Sequence, residues 1–547
     1  MKTLFRNTRF YNICLLCGLI ICSGLVRVFY PGEFLWDLFN YHYYNAWAFV
    51  HNRLGYDIAP AMINTYFNPL VDVPYYLMLN EWQDMPSLIR FCQGAYYGIL
   101  LFVFYKICLL FFDPKKEKLP IFITMLIAAT GFASLSQLGL SSNEIQVSIL
   151  ILCGFYIILK HISDEERKKS VWIYAGLLMG SALGLKPTMI TYCMASGITL
   201  IIFAKPLHVS LKEIIIFALS GLGGYLIVNG WWMWQLYTHF DNPFFPFMNK
   251  IFKSEYYDLI NFKDTEFIDN TSFVEKLWLP LLIGLRSVKE TYVFDTYFFD
   301  IRFALAYVVM LIIFIKWLCI DRKLTNRENI LFYAFIVTSY FIWAYLFSII
   351  RYVIPIEMLS AIVIVKFFQK IQGKTLLGSC LELSLKIIGL YILLSGVPEY
   401  IEFHRWRGTD VSKAFLPLEQ HINIPENTLV KTYGFPSSMA AARLIGEGSS
   451  RIIAYANGSV GQNIDFLEKN KLKQIRDEVE KHHQGPVVAI IVYNVASKRA
   501  ETINNANYRR SVLEKEGMFC RLFILQDEIV VCTPKEYQSQ VFVNTDN

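Results

Sequence analysis

Long apolar stretches recur through residues 1–397, and they decide what this chain can fold into. Each is long enough, or nearly so, to cross ~30 Å of hydrocarbon as a helix. The chain is 55% hydrophobic and only 18% charged, whereas soluble proteins contain about 25% charged residues. The pattern predicts a polytopic α-helical membrane protein. About 11 spans are predicted, at 11–30, 91–112, 119–137, 144–160, 171–185, 188–204, 212–234, 301–320, 329–349, 353–369 and 383–397.

Two details of these spans affect the count. The first span follows Lys2, Arg6 and Arg9, as the apolar core of a signal peptide would, but no small-residue cleavage site follows it. We therefore expect an uncleaved membrane helix. The fifth and sixth spans are short, and a turn at 184–188 separates them, so they could instead form a re-entrant pair.

The distribution of Lys and Arg predicts the orientation. With the N-terminus in the cytoplasm, the stretches on the cytoplasmic side hold 19 Lys and Arg, whereas the short outer turns hold only Lys186 and Arg351. This asymmetry is what the positive-inside rule describes. It places loops 31–90 and 235–300 and the tail 398–547 on the outer side.

The tail has the pattern of a separate soluble domain. Short runs rich in β-branched residues alternate with helical patterns, and a hairpin closes the chain. This predicts an α/β domain at 398–547 with a largely parallel sheet, beside a membrane module at 1–397. The predicted strands are 429–433, 451–455, 487–492, 519–525 and 528–532, and the predicted helices are 437–444 and 465–482.

The cysteine spacing gives no indication of a metal site, and the net charge gives none of a nucleic-acid-binding surface. Eleven cysteines lie mostly in the spans, and no Cys-x-x-Cys or Cys/His spacing predicts a metal site. Cys520 and Cys532, on the arms of the predicted hairpin, could form a disulfide in an oxidising compartment or remain free thiols. The net charge of +6 is modest and forms no basic stripe, so no nucleic-acid partner is expected.

Polar residues that could carry chemistry fall on the predicted outer side. A carboxylate at a membrane face is costly unless it is solvated or paired, so Asp37, just past the first span, is a candidate functional residue. Cations at Lys186, Arg302 and Arg351 could fix a lipid phosphate, while a carboxylate serves as a base. Other candidates are Tyr41, His42, Asp57, Asn68, Asp72, 231–234 and 241–246.

Each candidate also has a purely structural interpretation. Asp37 could cap a helix, and Lys186 could snorkel towards lipid headgroups. Arg351 could do the same or pair with Glu357. His42 could be a hydrogen-bonded structural histidine, and the tryptophans at 231–234 could form an interfacial aromatic belt.

The order and sidedness of these motifs resemble those of the bacterial C-type (GT-C) glycosyltransferases. These are polytopic, polyprenyl-phosphate-sugar-dependent enzymes related to protein mannosyltransferases. In that superfamily an acidic residue of the first outer loop is the usual base, and here Asp37 occupies that place. Many members carry two adjacent acids there, whereas this chain has Trp36-Asp37. The resemblance covers roughly 1–400, and the matching segments are Asp37, 66–69, 184–188, 241–246 and 351–355.

The resemblance implies a GT-C-like fold and an inverting hexosyl- or pentosyltransferase in the bacterial cytoplasmic (inner) membrane. Its donor would be a polyprenyl-phosphate sugar, and its acceptor a glycan, lipid or protein. Lys186, Arg351 and Arg302 would bind the lipid phosphate, and no cofactor is firmly implied, with the need for a divalent metal left open. The residues expected to bind sugar or acceptor are Tyr41, His42, Asn68, Asp57 and Asn242.

Two other functions fit the same residues. A polysaccharide polymerase or ligase would use a lipid-diphosphate-linked glycan and a large outer loop. A lipid-linked sugar transporter or flippase would show inverted repeats and charges near the middle of its spans. Neither feature is present, because the charged residues cluster at the ends of the spans.

Overall fold

The structure is a computed structural model that describes residues 2–30, 37–164, 168–260, 272–284, 300–319, 326–369, 416–433, 437–455, 470–493, 500–524 and 528–543. Most of these residues are helical, and five strands lie near the C-terminus. The helices are α1 Lys2–Phe29, α2 Tyr43–Val50, α3 Val73–Glu81, α4 Pro86–Phe111, α5 Lys118–Ala129, α6 Phe132–Ser136, α7 Glu144–Ser163, α8 Ser170–Leu185, α9 Ile190–Ile202, α10 Ala204–Leu207, α11 Leu211–Phe240, α12 Asn249–Phe252, α13 Phe273–Gly284, α14 Ile301–Cys319, α15 Arg327–Leu346, α16 Ile354–Gln369, α17 Leu416–His421, α18 Ser438–Ile445, α19 Lys471–His482, α20 Ala500–Lys515 and α21 Gln538–Val541. The strands are β1 Leu429–Tyr433, β2 Arg451–Tyr455, β3 Val487–Tyr493, β4 Met518–Ile524 and β5 Glu528–Pro534.

The chain divides into two compact units, each assembled from distant segments. The first consists of Met1–Tyr30, Arg90–Asn229 and Asp264–Trp406. The second consists of Pro31–Ile89, Gly230–Lys263 and Arg407–Asn547. The second unit thus combines the first predicted outer loop, part of the other and most of the tail. The division at residues 397 and 398 remains a prediction.

Helices long and apolar enough to span a membrane confirm the predicted class of protein. By length and composition, five described helical segments qualify: Arg9–Phe29, Pro86–Phe111, Glu144–Ser163, Leu211–Phe240 and Arg327–Leu346. Shorter apolar helices are Lys118–Ala129, Ser170–Leu185 and Pro187–Ile202. The count of eleven is not confirmed, and the last predicted span, 383–397, lies outside the described residues.

The predicted span at 119–137 is interrupted. Helix α5 ends at Ala129, and the short helix α6 begins at Phe132. The carboxylate of Glu357 accepts hydrogen bonds from the backbone N–H groups of Ala133 (2.7 Å) and Ser134 (2.8 Å). The first N–H groups of any helix lack partners within it, so a buried helix start needs an external acceptor of this kind.

Helices α8 and α11 cross at close range through glycines. Gly176, Gly180 and Gly184 recur every four residues along α8 and face α11. A Cβ on Gly180 would lie 1.8 Å from the carbonyl oxygen of Gly221, so no larger residue fits there. Small residues at this spacing let helix backbones approach each other in membranes, where van der Waals contact drives association.

The sheet confirms a small α/β region in the tail, with a topology more mixed than expected. Its strand order is β2-β1-β3-β5-β4. Strand β1 pairs in parallel with β2 and β3, whereas β3–β5 and β5–β4 are antiparallel. The helix Ala500–Lys515 was not predicted. Cys520 faces Cys532 in the closing hairpin, and the two form a disulfide.

A segment of the first loop extends the sheet at its β2 edge. Ile58 donates its N–H to the carbonyl of Ile452 (2.9 Å) and accepts from the N–H of Ala454 (3.1 Å), which makes a parallel bridge. The side chain of Trp47 donates to the carbonyl of Gly446 (3.0 Å). An extra partner at an edge strand satisfies backbone groups that would otherwise be exposed for pairing with another chain.

A buried ion pair fixes this junction. Arg53 donates to both carboxylate oxygens of Asp57, at 2.9 Å and 2.7 Å. Asp57 also accepts from the hydroxyl of Tyr44 (2.9 Å) and the N–H of Ile452 (2.8 Å). Burial raises the pKa of the Asp57 carboxyl, while the Arg53 guanidinium and these other donors oppose the rise. The network joins the first loop to strand β2.

Replacing Asp57 by Ala should destabilise the second unit by roughly 3–5 kcal/mol, because Arg53 would remain buried without its counter-ion. The change should appear as a lower melting temperature and faster proteolysis within 437–455. Asp84→Ala, at an exposed site of the same loop, is the matched control and should melt like the wild type. Equal melting of the two variants would contradict the role given to Asp57.

Reducing the Cys520–Cys532 disulfide should lower the stability of the second unit by about 3 kcal/mol, because the bridge limits the freedom of the unfolded chain. The measurement is thermal unfolding of the full-length protein with and without reductant. The Cys520→Ser/Cys532→Ser variant should melt near the temperature of the reduced wild type, with or without reductant. A wild-type protein that is insensitive to reductant would argue against the bridge.

Candidate functional site

The segment that contains Asp37 forms a turn of π-helix. The π-turn covers Leu38–His42, with Asp37 at its N-terminal boundary, and the N–H of Tyr43 donates to the carbonyl of Leu38. In a π-helix the hydrogen bonds run from residue i+5 to residue i, so Asp37 and His42 are one turn apart along the backbone. π-Turns are rare and often mark functional sites. Asp37 is only 9% exposed.

His42 is held by a buried carboxylate. Its Nδ1 lies 2.7 Å from Oδ1 of Asp72, and the two side chains are 5% and 6% exposed. This hydrogen bond places the ring proton on Nδ1, which faces the carboxylate, so Nε2 is the acceptor nitrogen of the neutral ring. Nε2 is buried without a hydrogen-bond partner among the described residues. The ring of Tyr41 packs on His42, with centroids 4.1 Å apart.

Asn40 adds a second unsatisfied group to the π-turn. Its side chain is fully buried, and neither amide atom has a hydrogen-bond partner within the described ranges. Its carbonyl accepts from the hydroxyl of Ser438. Leaving a buried donor or acceptor unpaired costs about 1–3 kcal/mol, so two such side chains in one turn need an explanation.

Three predicted substrate-binding residues make contacts within the second unit. Asp57 is held by the Arg53 network described above. Asn68 Oδ1 accepts from the N–H of Leu70 (3.0 Å), which closes a local turn. Asn242 is fully buried and stabilises the turn after α11, where its Oδ1 accepts from the N–H of Phe244 (2.9 Å). Substrate binding by these residues remains a prediction.

In the first unit, Lys186 and Arg351 meet at one buried carboxylate. Lys186 Nζ lies 2.6 Å from Oε1 of Glu144, and Arg351 Nε lies 3.8 Å from the same oxygen. The Glu144 side chain is fully buried, whereas those of Lys186 and Arg351 are 14% and 21% exposed. Both cations also lie over the ring of Tyr352, at 5.8 Å and 5.4 Å from its centroid.

Helix ends create this cluster. Glu144 lies in the first turn of α7, where a carboxylate is favoured by the helix dipole. Lys186 follows the last residue of α8, where Pro187 begins a 3₁₀ turn. Arg351 lies in the 3₁₀ turn Ile350–Val353 that precedes α16. The start of α7, the end of α8 and the turn before α16 therefore bring together three side chains that are far apart in sequence.

Arg302 belongs to a different set of contacts. Its Nε lies 3.1 Å from Oδ1 of Asp300, and its Nη1 donates to the carbonyl of Ile127 (3.1 Å). Both members of the pair are fully buried. Of the three cations predicted to bind phosphate, the structure brings together Lys186 and Arg351 and places Arg302 in this internal ion pair. Glu357, the alternative partner of Arg351, bonds to α6 instead.

Sequence reasoning missed Glu144. The signal was a carboxylate at the first residue of an apolar span, after the polar run Ser141-Ser142-Asn143. The role of Asp72 was also not predicted, because its partner lies 30 residues earlier. Within the described ranges, no group of three or more His, Cys, Asp or Glu side chains could hold a metal ion.

The likeness of this chain to known proteins is structural. No protein-family model and no curated protein sequence match this chain. Its structure resembles the crystal structure of ArnT from Cupriavidus metallidurans bound to undecaprenyl phosphate. The TM-score is 0.48 and the sequence identity 11%, over 95% of this chain and 97% of that chain. A likeness at this level does not assign a function, which must come from the residues.

Replacing Lys186 by Met should destabilise the first unit by roughly 1.5–3 kcal/mol, because the buried Glu144 carboxylate would lose its closest hydrogen-bond donor and keep only the more distant Arg351. Lys186→Met/Glu144→Gln should recover most of that loss, since a neutral amide replaces the buried carboxylate. Thermal unfolding in detergent measures both variants, with exposed Lys212→Met as the control. A double variant no more stable than Lys186→Met would contradict the pairing.

Proposed function

We propose that this protein is a membrane glycosyltransferase. It transfers a hexose or pentose from a polyprenyl-phosphate donor to an acceptor hydroxyl on a glycan, lipid or protein. The reaction takes place at the outer face of a bacterial cytoplasmic membrane and inverts the anomeric centre. The membrane helices and the cluster of Lys186, Arg351 and Glu144 support this assignment.

The observation that carries the proposal is the meeting of two cations at one carboxylate. A buried carboxylate with one cation would be sufficient for a structural ion pair. Here Lys186 and Arg351 share Glu144, so the three side chains carry one more positive than negative charge. Lysine and arginine at helix ends are suited to binding a phosphate group at the membrane surface.

The hydrogen-bond inventory leaves donors for a ligand. A lysine ammonium has three N–H donors. Lys186 uses donors for Glu144 Oε1 and for the carbonyl of Ser142. One donor therefore remains for a phosphate oxygen, and the partly exposed Arg351 offers a guanidinium beside it. In the transfer these groups stabilise the charge that develops on the leaving phosphate.

The charge of the cluster favours a particular donor. The phosphodiester of a lipid-monophosphate sugar carries one negative charge, which equals the excess positive charge of Lys186, Arg351 and Glu144 taken together. A lipid-diphosphate glycan carries two and would leave a negative charge uncompensated. The polymerase or ligase hypothesis is therefore the weaker one. The charges also lie at helix ends, which does not favour a transporter.

The proposed transfer is a single displacement at the anomeric carbon. The acceptor oxygen forms a bond to the anomeric carbon while the bond from that carbon to the phosphate oxygen breaks. The electron pair of the broken bond leaves on the polyprenyl phosphate. Asp37 takes the proton of the acceptor hydroxyl, and Tyr41 and His42 orient the sugar or acceptor hydroxyls. A single displacement from the opposite face gives inversion.

Replacing Asp37 by Asn should lower the transfer rate by about 10²–10⁴-fold, because an amide cannot take the proton. The protein should still fold, as judged by its melting temperature. Asp84→Asn, an exposed acid of the same loop, should keep normal activity. Full activity of Asp37→Asn would refute the assignment of the base.

Donor selectivity tests the phosphate site. Radiolabelled sugar should be transferred from a polyprenyl monophosphate and not from the corresponding diphosphate. Lys186→Met/Glu144→Gln should fold but bind the monophosphate donor more weakly, with a higher KM, because one of the two cations is gone. Transfer from the diphosphate alone, or an unchanged KM in that folded variant, would overturn the proposed donor.

A further inference from the structure

The His42–Asp72 pair is prepared for more than orienting a hydroxyl. The Nδ1–H of His42 donates a hydrogen bond to Asp72 over 2.7 Å, and this bond fixes the orientation of the ring. The lone pair of Nε2 is therefore the basic site of the imidazole. A carboxylate in this position also stabilises the imidazolium that forms when Nε2 takes a proton. The His42–Asp72 pair can therefore act as a proton acceptor.

Burial makes the arrangement costly unless Nε2 is used. His42 is 5% exposed, and its Nε2 has no hydrogen-bond partner among the residues that the structure describes. His51 provides a contrast within the same unit, because its Nε2 lies 3.3 Å from the hydroxyl of Tyr76. A histidine needed only for packing could be satisfied in the same way.

The π-turn that contains His42 begins directly after Asp37. The two residues are separated by five positions, the hydrogen-bonding repeat of a π-helix, and both are buried. In an α-helical turn residues three or four apart are neighbours instead. The local backbone conformation thus places Asp37 and His42 one turn apart in the same buried segment.

We propose that His42, positioned by Asp72, receives the proton that Asp37 takes from the acceptor. This inference rests on the proposed function and deepens it. Asp37 has little contact with solvent, so a neighbouring base shortens the path by which its proton leaves.

The proton balance of one cycle is as follows. The acceptor hydroxyl loses its proton to an Asp37 oxygen as the new glycosidic bond forms. The Asp37 O–H bond then breaks, and a water molecule between the two side chains accepts this proton while giving one of its own to Nε2 of His42, with which no described residue forms a hydrogen bond. The resulting imidazolium is paired with the Asp72 carboxylate and later releases the proton to water. Asp37 is again a carboxylate, ready for the next acceptor.

The decisive experiment separates the first turnover from later ones. In His42→Gln, Asp37 can still accept one proton, so rapid-quench assays with a polyprenyl-monophosphate sugar should show a burst stoichiometric with enzyme. The following steady-state rate should fall about 100-fold, within the usual range for a lost proton-transfer group. Wild-type protein should show no such change of rate, and His51→Gln should behave like the wild type.

A second variant keeps the test decisive if His42→Gln folds poorly. In His42→Ala, added imidazole should raise the steady-state rate in proportion to its concentration while the burst amplitude stays constant. Asp72→Asn should retain the burst and give an intermediate steady-state rate. A role limited to packing would give neither rescue nor a burst.

The possible failures are distinguishable. If His42→Gln slows the first and later turnovers equally, or slows neither, the proton transfer to His42 is refuted and the glycosyltransferase assignment stands. If Asp37→Asn retains its first turnover, the proposed base itself is wrong. Loss of the burst in Asp37→Asn together with its retention in His42→Gln is the result that we expect.

Discussion

The pairing of Glu144 with Lys186 and Arg351 is the interaction on which the membrane unit depends. A carboxylate without solvent contact at the start of a membrane helix is tolerated only with a cation close by. Because the partners come from the end of α8 and the turn before α16, satisfying one charge fixes the ends of three helices. Lys186 and Arg351 remain partly exposed, which the proposed binding of a lipid phosphate requires.

Buried polar groups in the second unit fall into two kinds. The Asp57 carboxylate accepts hydrogen bonds from Tyr44, Arg53 and the backbone of Ile452, and these bonds join a loop to a sheet. His42 Nε2 and the Asn40 side-chain amide are buried with no hydrogen-bond partner in the part of the chain that the structure describes. The first kind contributes stability when intact. The second costs free energy in the folded protein, and a ligand or a transferred proton would offset that cost.

The sequence predicted best what local patterns determine. The strands of the tail lie within one or two residues of their predicted positions, because short β-branched runs between turns have few alternatives. The π-turn, the break of the span near Gly131 and the hydrogen bond from Arg302 to the carbonyl of Ile127 depend on partners from distant segments. Lys186 and Arg351 could be selected as cations at helix ends, but only the folded chain shows that Glu144 joins them.

The bridge between Ile58 and Ile453 has a consequence for synthesis of the protein. The sheet edge is completed by a segment that is synthesised almost 400 residues before its partner strand. Asp57 can accept the hydrogen bond from the Ile452 N–H only after that strand has been synthesised. During translation the first loop must therefore wait, exposed, until the C-terminal part has emerged. A prematurely terminated chain would keep its membrane helices, but its first loop would lack the partner strand. The exposed loop would then be a site at which a protease could cleave the incomplete protein.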